Sequence, residues 1–121
     1  MDHLSIPITD AARTREFYTA ALDPLGWACT GFRAGVYVGF KKPGCPALYF
    51  HVTPEVAART HLAFKAATRE QVVAFHREAV RAGGEDHGEP GPRPDYGSEY
   101  YAAFVLDPDG HNMEAVLGGV G

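Results

Sequence analysis

The sequence predicts an α+β fold: two βαβββ modules in a single domain covering residues 1–121. Three observations lead there. First, the chain opens twice. His3-Leu4-Ser5-Ile6 returns as His61-Leu62-Ala63-Phe64, 58 residues later. Second, that offset persists, placing Phe17 on Phe75, Ala21 on Ala79, Leu22 on Val80 and Gly26 on Gly84. Self-similarity at a fixed offset marks two copies of one supersecondary unit. Third, each opening alternates like a strand and is followed by one helical pattern and then by short strands punctuated by Gly and Pro. Module 1 takes about residues 1–53, module 2 about 60–118, with a linker near 53–59.

In segment 2–8, Leu4, Ile6 and Ile8 point one way and His3, Ser5 and Pro7 the other, as in a half-buried strand. Thr9 or Asp10 offers an N-cap for a helix over 11–22. Ala11, Thr14, Phe17, Tyr18, Ala21 and Leu22 keep helical spacing on one face. Asp23-Pro24 and Gly26 end that helix. Strands near 26–31, 34–41 and 46–52 complete the module. In the second copy 60–66 reads as a strand, Thr68-x-x-Gln71 as a capping box, and 69–82 as a helix stopped by Gly83-Gly84. Strands near 84–87, 100–106 and 112–117 follow, around a segment 88–99 too rich in Pro and Gly for regular structure. Toward the module ends the offset grows to 66, Gly44 falling on Gly110 and Phe40 on Leu106. The second copy is therefore eight residues longer, in its Pro/Gly loop, and Glu114 falls on Leu48.

Net charge is −4 and no Lys/Arg cluster exists, which argues against nucleic acid or an anionic membrane as partner. The apolar runs are far shorter than a membrane span, no signal-peptide pattern opens the chain, and the expected location is the cytoplasm. Cys29 and Cys45 form no CxxC motif and read as ordinary thiols.

If the helices cover the faces of Leu4, Ile6, Leu62, Phe64, Met113 and Ala115, the opposite faces carry His3, His61 and Glu114. Two imidazoles and a carboxylate on a concave face are costly unless paired or ligating a cation. As a set they suit Fe(II), Mn(II), Zn(II), Ni(II) or Co(II), and three protein ligands leave positions open for substrate.

The His3 opening with Phe17-Tyr18, the second His61-Leu62-x-Phe64 opening and the ending Asp107-Pro108-Asp109-Gly110-His111-Asn112-Met113-Glu114 together resemble the vicinal oxygen chelate superfamily, the group of glyoxalase I, extradiol dioxygenases and the bleomycin- and fosfomycin-resistance proteins. The resemblance covers essentially the whole chain. It implies two modules whose mixed sheets curl around a cleft, and a divalent metal held by His3, His61 and Glu114. It also implies a small substrate chelated through adjacent oxygens, lyase, isomerase or dioxygenase chemistry, and a homodimer. Four-ligand members carry another carboxylate where the repeat puts Leu48, so glutathione-adduct chemistry is the less supported. A one-residue bulge would turn Tyr49 or His51 inward as a fourth ligand.

The expected catalytic residues are Glu114, Tyr101 and Arg93. Arg93 would clamp a carboxylate or oxyanion, and Tyr101, with Tyr96 and Tyr100 beside it, would donate a proton to a bound oxygen. The plainer alternatives are a solvated arginine and tyrosines packing a strand end. Lys65 reads as a surface lysine, His51 as an edge histidine, and His111 as a solvent-facing turn residue. The rival function is metal-free sequestration of a small molecule in a cleft lined by Trp27, Tyr37, Tyr96 and Tyr101. A further possibility is a cleft completed by a partner chain across exposed sheet edges.

Overall fold

A computed structural model describes residues 1–119. The order is β1 (His3–Ile8), α1 (Ala11–Leu22), a 3-10 turn (Asp23–Leu25), β2 (Ala28–Arg33), β3 (Tyr37–Lys41) and β4 (Ala47–Val52), then β5 (His61–Lys65), α2 (Arg69–Arg81), β6 (Glu85–Pro92), β7 (Tyr101–Leu106) and β8 (Asn112–Leu117). The two copies make two four-stranded mixed sheets, ordered β1-β4-β3-β2 and β5-β8-β7-β6. β1 with β4 and β5 with β8 run parallel, and the remaining pairs are antiparallel. None of the described helices is long and apolar enough to cross a membrane.

The helices begin where their caps dictate. The Asp10 side chain accepts from Arg13 N at 3.1 Å and Thr68 Oγ1 from Gln71 N at 3.1 Å, each satisfying an otherwise orphaned donor. Gln71 reaches one residue further back than a standard capping box, taking the Ala67 amide at 2.6 Å. Each helix covers its own sheet and the helices also pack on each other. One core therefore runs through both modules, from Ile6, Tyr18 and Phe50 to Phe75 and Met113. Tyr18 stacks on Phe50 at 4.3 Å. Trp27 meets Phe64 edge-on at 5.7 Å across the module boundary, so it belongs to this core.

Two features depart from the expected elements. β6 runs to Pro92, through five residues expected to be irregular. It lies at the sheet edge, and its pairing with β7 shifts register between Asp86 and Gly88 and again between Gly88 and Gly91. An edge strand tolerates Pro, and bulges accommodate Gly. The second is the turn before β8. Thr9 donates from Oγ1 to Asp109 Oδ1 (2.6 Å) and from N to Oδ2 (3.2 Å). Tyr18 donates to Asp107 Oδ2 at 2.5 Å. His111 is fully buried rather than solvent-facing. Its Nδ1 accepts from Thr60 N at 2.9 Å, so Nε2 carries the proton and gives it to Pro7 O at 2.7 Å. The end of β1 lies over this turn, which binds module 2 to module 1.

Candidate active site

The register fixes which side chains share a face. His61 lies opposite Asn112, Ala63 opposite Glu114, and Glu114 opposite Phe104. Successive strand residues alternate faces, so His61, Asn112, Glu114 and Phe104 stand together on the face away from α2, with Tyr100 just before β7 on the same parity. His61 Nε2 lies 2.8 Å from Glu114 Oε1. The Tyr100 hydroxyl donates to Glu114 Oε2. Glu114 is nearly sealed, its side chain 3% exposed, while the His61 side chain is 50% exposed. Burying a carboxylate is costly, and hydrogen bonds to a charged acceptor contribute about 1.5–3 kcal/mol each. Both Glu114 oxygens are matched in this way. Burial, then the hydrogen bond to Glu114 and its charge, push the Tyr100 phenol up to about 12.

Asn112 Nδ2 donates to His61 Nδ1 at 3.0 Å. That assigns the ring proton to Nε2, where Glu114 receives it. Asn112 Oδ1 is buried with no hydrogen-bond partner among the described residues and is the orphan of the site. A half-turn of the amide would aim Oδ1 at Nδ1, draw the ring proton there and bare Nε2 as a lone-pair donor beside Glu114 Oε1. A spacing of 2.8 Å between those atoms suits adjacent ligands at about 2.0–2.2 Å from one ion. The pair thus supplies two donors of the types a divalent ion takes. Among the described residues, no group of three or more His, Cys, Asp or Glu is placed to hold an ion.

His3, the expected third ligand, is not beside this pair. It stays on β1, with Nδ1 2.7 Å from Asp2 Oδ1 and its ring edge-on to Tyr49 at 5.8 Å. The two modules meet through α1 and α2 rather than through their uncovered sheet faces. The matching strand of module 1 also differs from expectation. Ser5, the counterpart of Ala63, lies opposite Tyr49. Tyr49, not Leu48, therefore stands where Glu114 stands in module 2, and Leu48 is buried in the core at 3% exposure. One more residue separates Gly44 from β4 than separates Gly110 from β8, and a slip of one reverses every face. Tyr49 and His51 consequently share the uncovered face with His3 without any bulge, and Ser5 Oγ lies 2.7 Å from His51 Nδ1.

Tyr101 points the other way from Tyr100. It packs against the core, with the Arg69 guanidinium 4.6 Å over its ring. Tyr100 takes the position beside Glu114 expected for Tyr101. Arg93 lies near the site, over the Phe104 ring at 5.5 Å. His61, Tyr96, Tyr100, Phe104 and Glu114 line a cavity of about 360 Å³. A neighbouring hollow of about 390 Å³ shares His61, Tyr96 and Phe104 and adds His87, Gly88, Arg93 and Asn112. A wider hollow of about 600 Å³ lies on module 1 beside Lys41, Lys42 and Tyr49. Asp2 at its edge pairs with His3, but both side chains are exposed, whereas the carboxylate of the His61–Glu114 pair on module 2 is buried. Asn112 was not legible as a site residue, although it opens the last strand directly opposite His61.

The decisive comparison is with the family model of the Glyoxalase/Bleomycin resistance protein/Dioxygenase superfamily, which matches residues 1–115. The chain belongs to this superfamily. Among solved structures, a glyoxalase/bleomycin resistance protein from Albidiferax ferrireducens is 25% identical with a TM-score of 0.81, covering 97% of each chain. A glyoxalase-related enzyme from Fulvimarina pelagi is 22% identical with a TM-score of 0.78, over 98% of this chain and 87% of that one. A fosfomycin resistance protein from Mesorhizobium loti is 19% identical with a TM-score of 0.73, over 99% and 92%. No curated protein sequence matches the chain. For this superfamily member the βαβββ repeat is thus established, while its ligands and reaction rest on the side chains themselves.

Proposed function

We propose that this superfamily member is a metal-dependent enzyme acting on a small molecule, with His61 and Glu114 holding a divalent ion and the remaining donors coming from module 1 of a second copy. The observation that carries the reading is the buried Glu114 carboxylate beside an imidazole, one atom of which is poised to be bared by Asn112. A divalent ion, when bound, supplies polarisation of adjacent substrate oxygens of the lyase, isomerase or dioxygenase kind. The protein groups do the rest. Tyr100, kept protonated at neutral pH, fixes Glu114 Oε2 and orients the carboxylate. Asn112 sets the His61 tautomer. Phe104 and Tyr96 supply aromatic surface to the pocket. Glu114, no longer receiving the Nε2 proton once the Asn112 amide turns, is the carboxylate of the pocket and the group to take or return a proton.

A second copy is required because one chain presents two donors on module 2 and leaves His3, Tyr49 and His51 on the separate face of module 1. β1 and β5 are both edge strands with one unpaired side, the geometry that permits pairing between copies. We assign the reaction to the cytoplasm, where two exposed free thiols, Cys29 and Cys45, are kept reduced. The competing reading is metal-free binding, favoured by the full pairing of Glu114 within the chain.

Metal analysis after loading with Fe, Mn, Zn, Ni or Co separates them. About one ion per chain is expected, lost in both His61→Ala and His3→Ala, with light scattering reporting a dimer. Negligible metal in the parent protein under every loading condition defeats the enzyme reading. Retention by His3→Ala defeats the shared site.

A further inference from the structure

Arg93 is built into the fold in an unusual way. Its Nη1 donates to Gly91 O (2.9 Å) and Pro92 O (3.3 Å), and its Nη2 to Glu89 O (2.7 Å). All three acceptors are neutral backbone carbonyls. Among the described residues no carboxylate pairs with Arg93, although five other ion pairs form elsewhere. The charge is therefore held but not neutralised. A guanidinium carries five N–H donors, and two of them remain, enough for one bidentate contact with an oxyanion.

β6 is shaped to hold this group. A Cβ at Gly91 would come within 3.2 Å of Nη1, and one at Gly88 within 3.3 Å of Nη2 and 2.8 Å of Phe104 Cδ1. Bare backbone at both positions leaves room for the guanidinium along the strand and over Phe104. A side chain so fixed has already lost much of the rotamer freedom that binding would otherwise cost. The hollow in front of it carries the right signs. Its polar lining is Arg93, His61, His87, Asn112 and the Tyr96 hydroxyl, with no carboxylate. Glu114 lies in the adjoining cavity, its oxygens occupied by His61 and Tyr100. The field of Arg93 reaches that neighbour, opposing the rise in the Tyr100 phenol.

We infer that the substrate of this pocket carries an oxyanion, a carboxylate or a phosphorus oxyanion, which Arg93 clamps while the remainder lies against Tyr96, Tyr100 and Phe104 toward His61. This rests on the His61–Glu114 pocket being the site, but not on a metal being there.

The test uses chelator-treated full-length protein titrated with benzoate, phenyl phosphate and neutral benzamide, by calorimetry or NMR shifts. At least one anion is expected to bind about tenfold or more tightly than benzamide, and the tighter of the two identifies the headgroup. Arg93→Gln is expected to lower anion affinity about tenfold while leaving benzamide unchanged, and Arg93→Lys to restore part of it. Circular dichroism checks the fold of each variant. Equal binding of anions and benzamide overturns the inference, as does unchanged anion affinity in folded Arg93→Gln. Metal loading in parallel keeps the two readings apart. A protein that discriminates anions through Arg93 but takes up no ion defeats the metal reading alone, and one that binds metal without discriminating defeats this one alone.

Discussion

Removing a single hydroxyl, by Tyr18→Phe, tests the buried joint between the modules. Tyr18 is fully buried and donates to Asp107 Oδ2 at 2.5 Å, while Asp107 is 5% exposed. The substitution leaves the ring packed on Phe50 and deletes only that donor. Asp107 Oδ1 still accepts from Asp109 N and His111 N, each at 2.9 Å, but Oδ2 loses its partner. A hydrogen bond to a charged group contributes about 1.5–3 kcal/mol, so the expected cost at pH 7 is about 2 kcal/mol. For a domain of this length that is a fall in Tm of roughly 6–12 °C. There is a second, independent signature. Burial first, then the charge of Asp107, hold the Tyr18 phenol well above its ordinary value of 10.0. A group whose pKa is raised on folding lends stability that is complete below the unfolded value and is lost as pH climbs past it. Above pH 10 the parent should lose about 1.4 kcal/mol per pH unit to this one group. Tyr100, also raised, leaves a residual slope in both proteins, so the observable is the difference between their urea-unfolding free energies from pH 8 to 11. A cost under about 0.5 kcal/mol at pH 7, or parallel alkaline slopes, would refute the reasoning.

Other expectations follow from the same geometry. His111→Ala removes the acceptor for Thr60 N and the donor for Pro7 O inside a sealed joint, and should cost about 2–4 kcal/mol in denaturant unfolding. Leu48→Ala should cost about 2–5 kcal/mol as a core truncation, whereas Tyr49→Ala should leave unfolding nearly unchanged and, under the proposed shared site, lower metal uptake; the reverse pattern would restore Leu48 to the site face. Tyr100→Phe strips one of the two donors from Glu114 and should reduce metal uptake and turnover together while sparing Tyr101-linked stability, whereas Tyr101→Ala should unfold more easily yet load metal normally. Asp86 is held below its ordinary value by His76 and the Gly88 amide, so the stability it contributes is present above the usual carboxylate range and lost as pH falls. His76→Ala should flatten that acid limb in a pH-dependent melting series.

Much of the fold was legible because its signals are local. The helix predicted over 11–22 and the start of α2 at residue 69 coincide with the structure, since cap and apolar spacing both lie within a few residues of the boundary. The pairing of His61 with Glu114 was legible too, because each alternation is unambiguous within its own strand. Errors arose where a position had to be counted across a loop. The Gly44–Gly110 equivalence carried a one-residue difference into β4 and assigned Leu48 the place of Tyr49. In Tyr100-Tyr101-Ala102-Ala103-Phe104-Val105 every residue is apolar or aromatic, so the sequence offers no contrast to say which tyrosine faces α2. His111 sits in a turn of the kind that normally faces water, and the end of β1, from the other module, packs over it. The separation of His3 from His61 was invisible for a related reason. A repeat tells which faces correspond, and the choice of helices as the joint belongs to tertiary packing.

That joint has a consequence for how the molecule could be taken apart. The stretch from Thr53 to Arg59 contributes little to the interior, whereas Thr9, Tyr18 and Pro7 grip the turn before β8 from the opposite half. A protease cut near Pro54 should therefore leave a nicked protein whose halves stay noncovalently associated through gel filtration, and separately expressed halves should find each other, making the chain a candidate for a split reporter.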